Sequence, residues 1–200
     1  MLLSELQTGF TLRIDGDNDL SEAKFIAMAN DLADMLYPVQ VGANTSRYQA
    51  EEDYTVSSSP STQALPTDYQ SFNTGDCGIY QMNGTTVVGK LNTVPYGSTF
   101  KGYRISGANI VFSGLENASL KLIYVPARTR FTAVSNDFDI PSWFTPMLIQ
   151  GLVALYYRYE EDFDRESIAW TSFDPLFAQF EAKLKPESQV LLTEDLTQGF

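Results

Sequence analysis

Between positions 20 and 36, apolar residues recur at helical spacing. Leu20, Phe25, Ile26, Ala29, Leu32, Ala33 and Leu36 form one stripe, and Asn30, Asp31 and Asp34 lie off it. The pattern predicts an amphipathic helix from about Asp19 to Tyr37, capped by Asp19 or Ser21, with Glu22 in its first turn and Pro38 ending it. A shorter helical turn at Leu2–Gln7 precedes it. From Val39 the helical period disappears. Arg47-Tyr48-Gln49-Ala50 and Tyr54-Thr55-Val56 read as short strands, Ser57 to Ser61 as a mobile loop, and Leu65-Pro66-Thr67-Asp68-Tyr69 as an extended entry into more β structure. Ile79-Tyr80-Gln81-Met82, then Asn83-Gly84, then Thr85-Thr86-Val87-Val88 is a hairpin signal. After a Gly-, Pro- and Ser-rich loop at 92–102 come Tyr103-Arg104-Ile105 and Ile110-Val111-Phe112, turning at Gly107-Ala108-Asn109. A third strand, Leu120 to Val125, ends at Pro126.

The last third returns to helical spacing. A helix after Pro141 or Pro146 carries Phe144, Met147, Leu148, Leu152, Leu155, Tyr156 and Tyr159; it is apolar on most sides and is expected to be central and buried. A charged connection, Glu160 to Asp164, leads to a final helix at about Arg165–Lys185. Its apolar face is Ala169, Phe173, Leu176, Phe177, Phe180 and Leu184. Pro175 inside it is expected to kink or restart it, with Asp174 as the cap. The segment after Pro186 holds Val190, Leu191, Leu192 and Phe200 among polar residues. It is too polar to build a core and is expected to be a flexible docking tail, 186–200.

Composition narrows the function classes. The 200 residues, 44% apolar, suit one domain with room for a subdomain. No apolar run approaches the roughly 18 to 20 residues of a membrane span, and the first residues lack the basic flank of a signal peptide. A soluble chain that stays where it is made is the expectation. One cysteine, Cys77, excludes an internal disulfide and a Cys-based zinc site. The absence of histidine removes the commonest metal ligand and the usual general base. Carboxylates and lysines remain, but no enzyme, cofactor or metal is expected.

Charge is unevenly spread around the net −12. Residues 1–76 carry 12 acids and 3 bases, residues 77–136 carry 1 acid and 6 bases, and residues 137–200 carry 12 acids and 4 bases. Net acidity argues against tight nucleic-acid binding. Alternating signs suit packing against copies of the chain or other proteins, or simply serve solubility.

Four groups invite a chemical reading. Asp15-Gly16-Asp17-Asn18-Asp19 starts like a calcium loop, but Leu20 and Ile26 stand where Gly and Glu are needed, so a solvated helix cap is the better reading. Five carboxylates between Glu160 and Glu166 sit in one helix connection with no sign of a cleft. Gly75-Asp76-Cys77-Gly78 has no base to activate its thiol. Arg104, Lys121, Arg128 and Arg130 suit carboxylate pairing within or between subunits, or an ordinary solvated strand end.

The order of elements carries a resemblance. The Leu65 to Tyr69 entry, the Tyr103 to Phe112 hairpin, Leu120 to Pro126, Ile140-Pro141, the helix reaching Tyr159-Glu160-Glu161-Asp162 and the closing helix to Lys185 together resemble the head-to-tail adaptor proteins of tailed bacteriophages, over about residues 19 to 185. The long β-rich insertion, about Arg47 to Tyr96, and the tail after Pro186 depart from the family's pattern. The resemblance implies an α+β fold: a helical bundle of about three main helices, from 1–38 and 137–185, with an antiparallel β subdomain, 39–136, inserted. It implies a ring, commonly twelve-fold, beneath the portal at the virion's head–tail junction, assembled in the host cytoplasm. The portal, the tail proteins and other copies of the chain would be its partners. DNA would pass through an acidic channel without specific binding. Partner contacts would fall to Arg104, Lys121, Arg128 and Arg130 and to Leu191, Leu192 and Phe200 of the tail. The alternative is a virion decoration or tail protein that binds a partner or carbohydrate, since the β segment is rich in Tyr, Asn and Thr.

Overall fold

Two units of different composition divide the chain: Met1–Asn44 with Thr129–Phe200, and Thr45–Arg128. The computed structural model describes residues 1–14, 20–43, 45–72 and 76–184, and the fold is α+β with antiparallel sheets. The first unit holds α1 (Leu3–Arg13), α2 (Glu22–Ala43), α3 (Thr145–Tyr159) and α4 (Phe163–Leu184). Four helices therefore stand among the described residues where about three main ones were expected. The expected turn at Leu2–Gln7 is the start of α1, whose Leu3, Leu6 and Phe10 are fully buried.

Both helix-internal prolines act more mildly than their sequence context suggests. Pro38 was expected to end α2, yet the helix runs on to Ala43 because Gln40 and Val41 are buried and Gln40 Nε2 donates to the Asp139 carbonyl at 2.9 Å. Pro175 lies within an unbroken α4, so Asp174 caps nothing; Phe173 and Phe180, both buried, hold the turns on either side. Ser21 caps α2, its Oγ accepting from Lys24 N at 3.2 Å. α3 starts with Pro146 in its first turn and is the most enclosed helix, with Met147, Leu148, Leu152, Val153, Ala154 and Leu155 all buried. Gly151 is where α3 meets α2 and α4: a Cβ there would lie 2.7 Å from Leu32 Cδ1 and 3.1 Å from Phe173 Cε2.

Residues 129–136 belong to the helical unit rather than to the β segment, which places the boundary at 128/129 in place of the expected 136/137. The reason is hydrogen bonding. The N–H groups of Leu3 and Ser4, which have no intrahelical partner at the start of α1, donate to the carbonyls of Asn136 (3.0 Å) and Val134 (2.9 Å). The Asn30 side chain on α2 donates to Phe131 O (3.0 Å) and accepts from Phe131 N (2.9 Å).

The second unit contains eight described strands: β1 (Ala50–Val56), β2 (Ser61–Ala64), β3 (Tyr69–Ser71), β4 (Gly78–Asn83), β5 (Thr86–Lys90), β6 (Gly102–Ser106), β7 (Asn109–Ser113) and β8 (Ala118–Pro126). One sheet has the order β1-β8-β4-β5, with β3 also on β8; the other is β2-β7-β6. Residues 45–48 form a 3₁₀ turn, so the expected strand at Arg47 begins only at Ala50. Ser61, expected in a loop, already belongs to β2. In the β4–β5 hairpin Asn83 pairs with Thr86, so the loop is Gly84-Thr85, one residue later than the Asn-Gly pair suggested. Gly84 has φ 60°, a left-handed conformation that glycine adopts without steric cost. Inward residues of both sheets share one core: Tyr54, Val56, Ile79, Leu120, Leu122 and Tyr124 with Tyr103, Ile110 and Phe112. Alternation along β8 sets this face, and Ser119, Lys121 and Ile123 point outward.

Candidate partner interface

The outer surfaces of the β unit carry exposed apolar and aromatic residues that the core does not need, among them Val87, Val88, Tyr96, Phe100 and Ile105. Residues 92–94 run beside β6, with Tyr103 N donating to Asn92 O at 3.0 Å and Val94 N to Tyr103 O at 2.8 Å. The chain then turns through Pro95-Tyr96-Gly97-Ser98, closed by Ser98 N to Pro95 O at 3.2 Å, and Gly97 takes φ 75° at the third position. Tyr96 is thereby pushed to the tip, 87% exposed, and Phe100 follows at 79%. The Arg104 guanidinium lies over the Tyr96 ring, 4.6 Å from its centre. Ser59, Ser98, Thr99 and Ser113 join these two residues around a groove of about 390 Å³. A flat aromatic face, a cation and hydroxyls can stack on and hydrogen-bond a polar ligand or an extended chain.

The other basic residues singled out from the sequence do not join Arg104. Lys121, on the outer face of β8, pairs with Glu51 Oε2 across the sheet at 2.6 Å, and that bond holds its pKa above the usual lysine value. Arg130 belongs to the helical unit and pairs with Asp34 at 2.9 Å. Arg128 ends the β unit. The ion pairs of Lys121 and Arg130 are intramolecular and partly exposed, so each is weak. Leu191, Leu192 and Phe200 lie outside the described residues, as do Asp15 to Asp19.

The carboxylates at 160–166 also have structural work. Asp162 caps α4, accepting from Arg165 N at 3.1 Å. Glu160 pairs with Lys24. Glu166 accepts from Trp170 Nε1 at 2.9 Å and from Arg158 Nε at 2.7 Å, and these bonds hold its pKa below the usual range against the opposing effect of burial. Cys77 is buried, with Gln49 Nε2 3.8 Å from its sulfur. Among the described residues no group of three or more Cys, Asp or Glu side chains could hold a metal ion, and no helix is long and apolar enough to cross a membrane.

Sequence reading missed Tyr96 and Phe100, because the loop around them reads only as Gly, Pro and Ser; two aromatics in so polar a stretch were the available signal. It also missed a shallow apolar groove of about 420 Å³ on the helical unit, lined by Gly9, Leu12, Pro146 and Ile149, with Leu12 79% exposed. Trp143, at the start of the turn before α3, is 69% exposed.

The tyrosines in the β core set a pH limit. Burial, with help from Glu52, pushes the Tyr54 pKa from 10.0 up to about 12; its hydroxyl donates to Ala64 O at 2.8 Å. Burial and the bond to Asp68 Oδ1 push Tyr124 up to about 12 as well, and Tyr69 and Tyr103 are raised by burial. A raised tyrosine pKa means that the folded state keeps a proton which the unfolded chain has lost. This stabilisation is complete below pH 10 and disappears as pH climbs through about 12. The β unit should therefore open in alkali between these limits. Tyrosinate absorbance and the loss of strand circular dichroism should rise together; early tyrosinate formation with the strands intact would contradict it.

No family model matches the chain, and a search of curated proteins finds no match.

Proposed function

We propose that this protein is a head-to-tail adaptor of a tailed bacteriophage: a structural virion protein that forms a ring under the portal, extends the DNA channel and docks the tail. The observation that carries the reading is the order of elements on which the resemblance rests. The β6–β7 hairpin, the β8 strand stopping at Pro126, the loop to Pro141 and then α3 and α4 follow one another in that order. In this reading the four helices act as the bundle and the β unit as the inserted subdomain. The net charge of −12 supports a channel wall that repels DNA phosphates. Partners are other copies of the chain, the portal and the tail proteins; no bond chemistry is involved.

Portal attachment is assigned to the C-terminal segment. Deleting residues 187–200, or replacing Leu191 and Leu192 with Asp, should leave the melting curve unchanged and weaken co-sedimentation with the portal. Undiminished co-sedimentation would remove the tail from the interface. The second reading, a decoration that binds a partner or carbohydrate, is favoured by the Tyr96–Arg104 groove. Tyr96→Ala would then abolish glycan binding by the monomer.

A further inference from the structure

Resting on the ring reading above, we infer that the five-stranded sheet is the joint between copies: β5 of one subunit adds to β1 of the next, head to tail. β5 and β1 are the two ends of the strand order β1-β8-β4-β5. Every residue of β5 is exposed, including Val87 (54%) and Val88 (60%), so this strand contributes side chains to no core. A sheet edge of this kind is a template for another strand. β1 has the opposite character. Glu51, Glu52 and Asp53 are all exposed along it. Three acids in a row repel a second β1 and favour an edge without acids. β5 provides that edge, carrying Lys90 and no Asp or Glu.

Strand direction agrees with the joint. β1 is antiparallel to β8, β8 to β4, and β4 to β5, so β5 runs opposite to β1. Repeating the subunit by a simple rotation then sets β5 antiparallel to the next β1, and the alternation continues unbroken from copy to copy. Such a heterologous contact closes into a ring when the rotation closes. The other sheet is less suited: β6 is flanked by residues 92–94, and β2 has only four residues.

Cysteine pairing tests the joint in the full chain. Val87→Cys or Val88→Cys on β5, mixed with Glu52→Cys or Asp53→Cys on β1, covers both faces of the joint. All four positions are exposed, so folding is not at stake, and Cys77 is buried. On oxidation at high protein concentration, at least one mixture should give a covalent dimer that neither variant gives alone. The matching double variant should give a ladder of oligomers. Val88→Asp, which adds an acid facing three others, should abolish assembly seen by light scattering. A dominant self-dimer of Val88→Cys, or no covalent product from any mixture, overturns the joint. A ladder of open filaments without rings supports the joint while contradicting the ring. Rings in micrographs that never cross-link contradict the joint and leave the ring reading standing.

Discussion

Leu148→Asp should prevent the helical unit from folding. Leu148 has no exposed surface and sits on α3 within the core formed by α1, α2 and α4. The substitution removes a buried leucine, worth roughly 1.5–3 kcal/mol, and puts in its place a carboxylate with no partner. The combined cost is on the order of 5 kcal/mol or more, comparable to the whole stability of many domains. The chain is expected to be insoluble, or to lose its helical circular dichroism and cooperative melt. Leu152→Asp should behave in the same way. Leu12→Asp, 79% exposed on α1, is the control and should melt like the parent. A soluble Leu148→Asp protein with an unchanged melting curve would show that α3 is not the centre of this unit.

Asn30→Ala should be the most damaging polar substitution. Asn30 is only 6% exposed, and its side chain bonds both the N–H and the C=O of Phe131. Removing it takes these two bonds from a partly buried backbone at about 1–3 kcal/mol for each group left unsatisfied. A loss of about 2–6 kcal/mol follows, or a fall in Tm of about 4–24 °C at this chain length. One turn along α2, Asp34 also ties the helix to this loop through Arg130, but both side chains are exposed. Asp34→Ala should change stability by about 1 kcal/mol or less. Equal effects of the two substitutions would mean that burial does not decide the strength of this link.

The sequence was most legible where a periodic pattern met a strong boundary. The buried face of α3 was visible because its apolar residues surround the helix, and the β6–β7 hairpin because Gly107 separates two alternating runs. Legibility failed where tertiary contacts overrode local preference. Pro38 reads as a stop, but buried Gln40 and Val41 carry α2 onward. α1 was read as a short turn because Thr8, Gly9 and Thr11 are poor helix formers; burial of Phe10 and the close approach of Gly9 to Ile149 sustain it. At the candidate interface, Arg104 was named from its charge alone, while the Tyr96 ring that holds it comes from a loop whose turn is set by Gly97. The edge strands of the sheet could not be read at all, because strand order depends on β8 pairing between β1 and β4, far apart in sequence.

The proposed adaptor role meets its most direct test in electron micrographs of the purified protein mixed with the portal ring that this proposal assigns to it. The account expects rings of this chain stacked on the same axis as the portal, with a continuous central channel. Monomers that neither form rings nor bind the portal would contradict it.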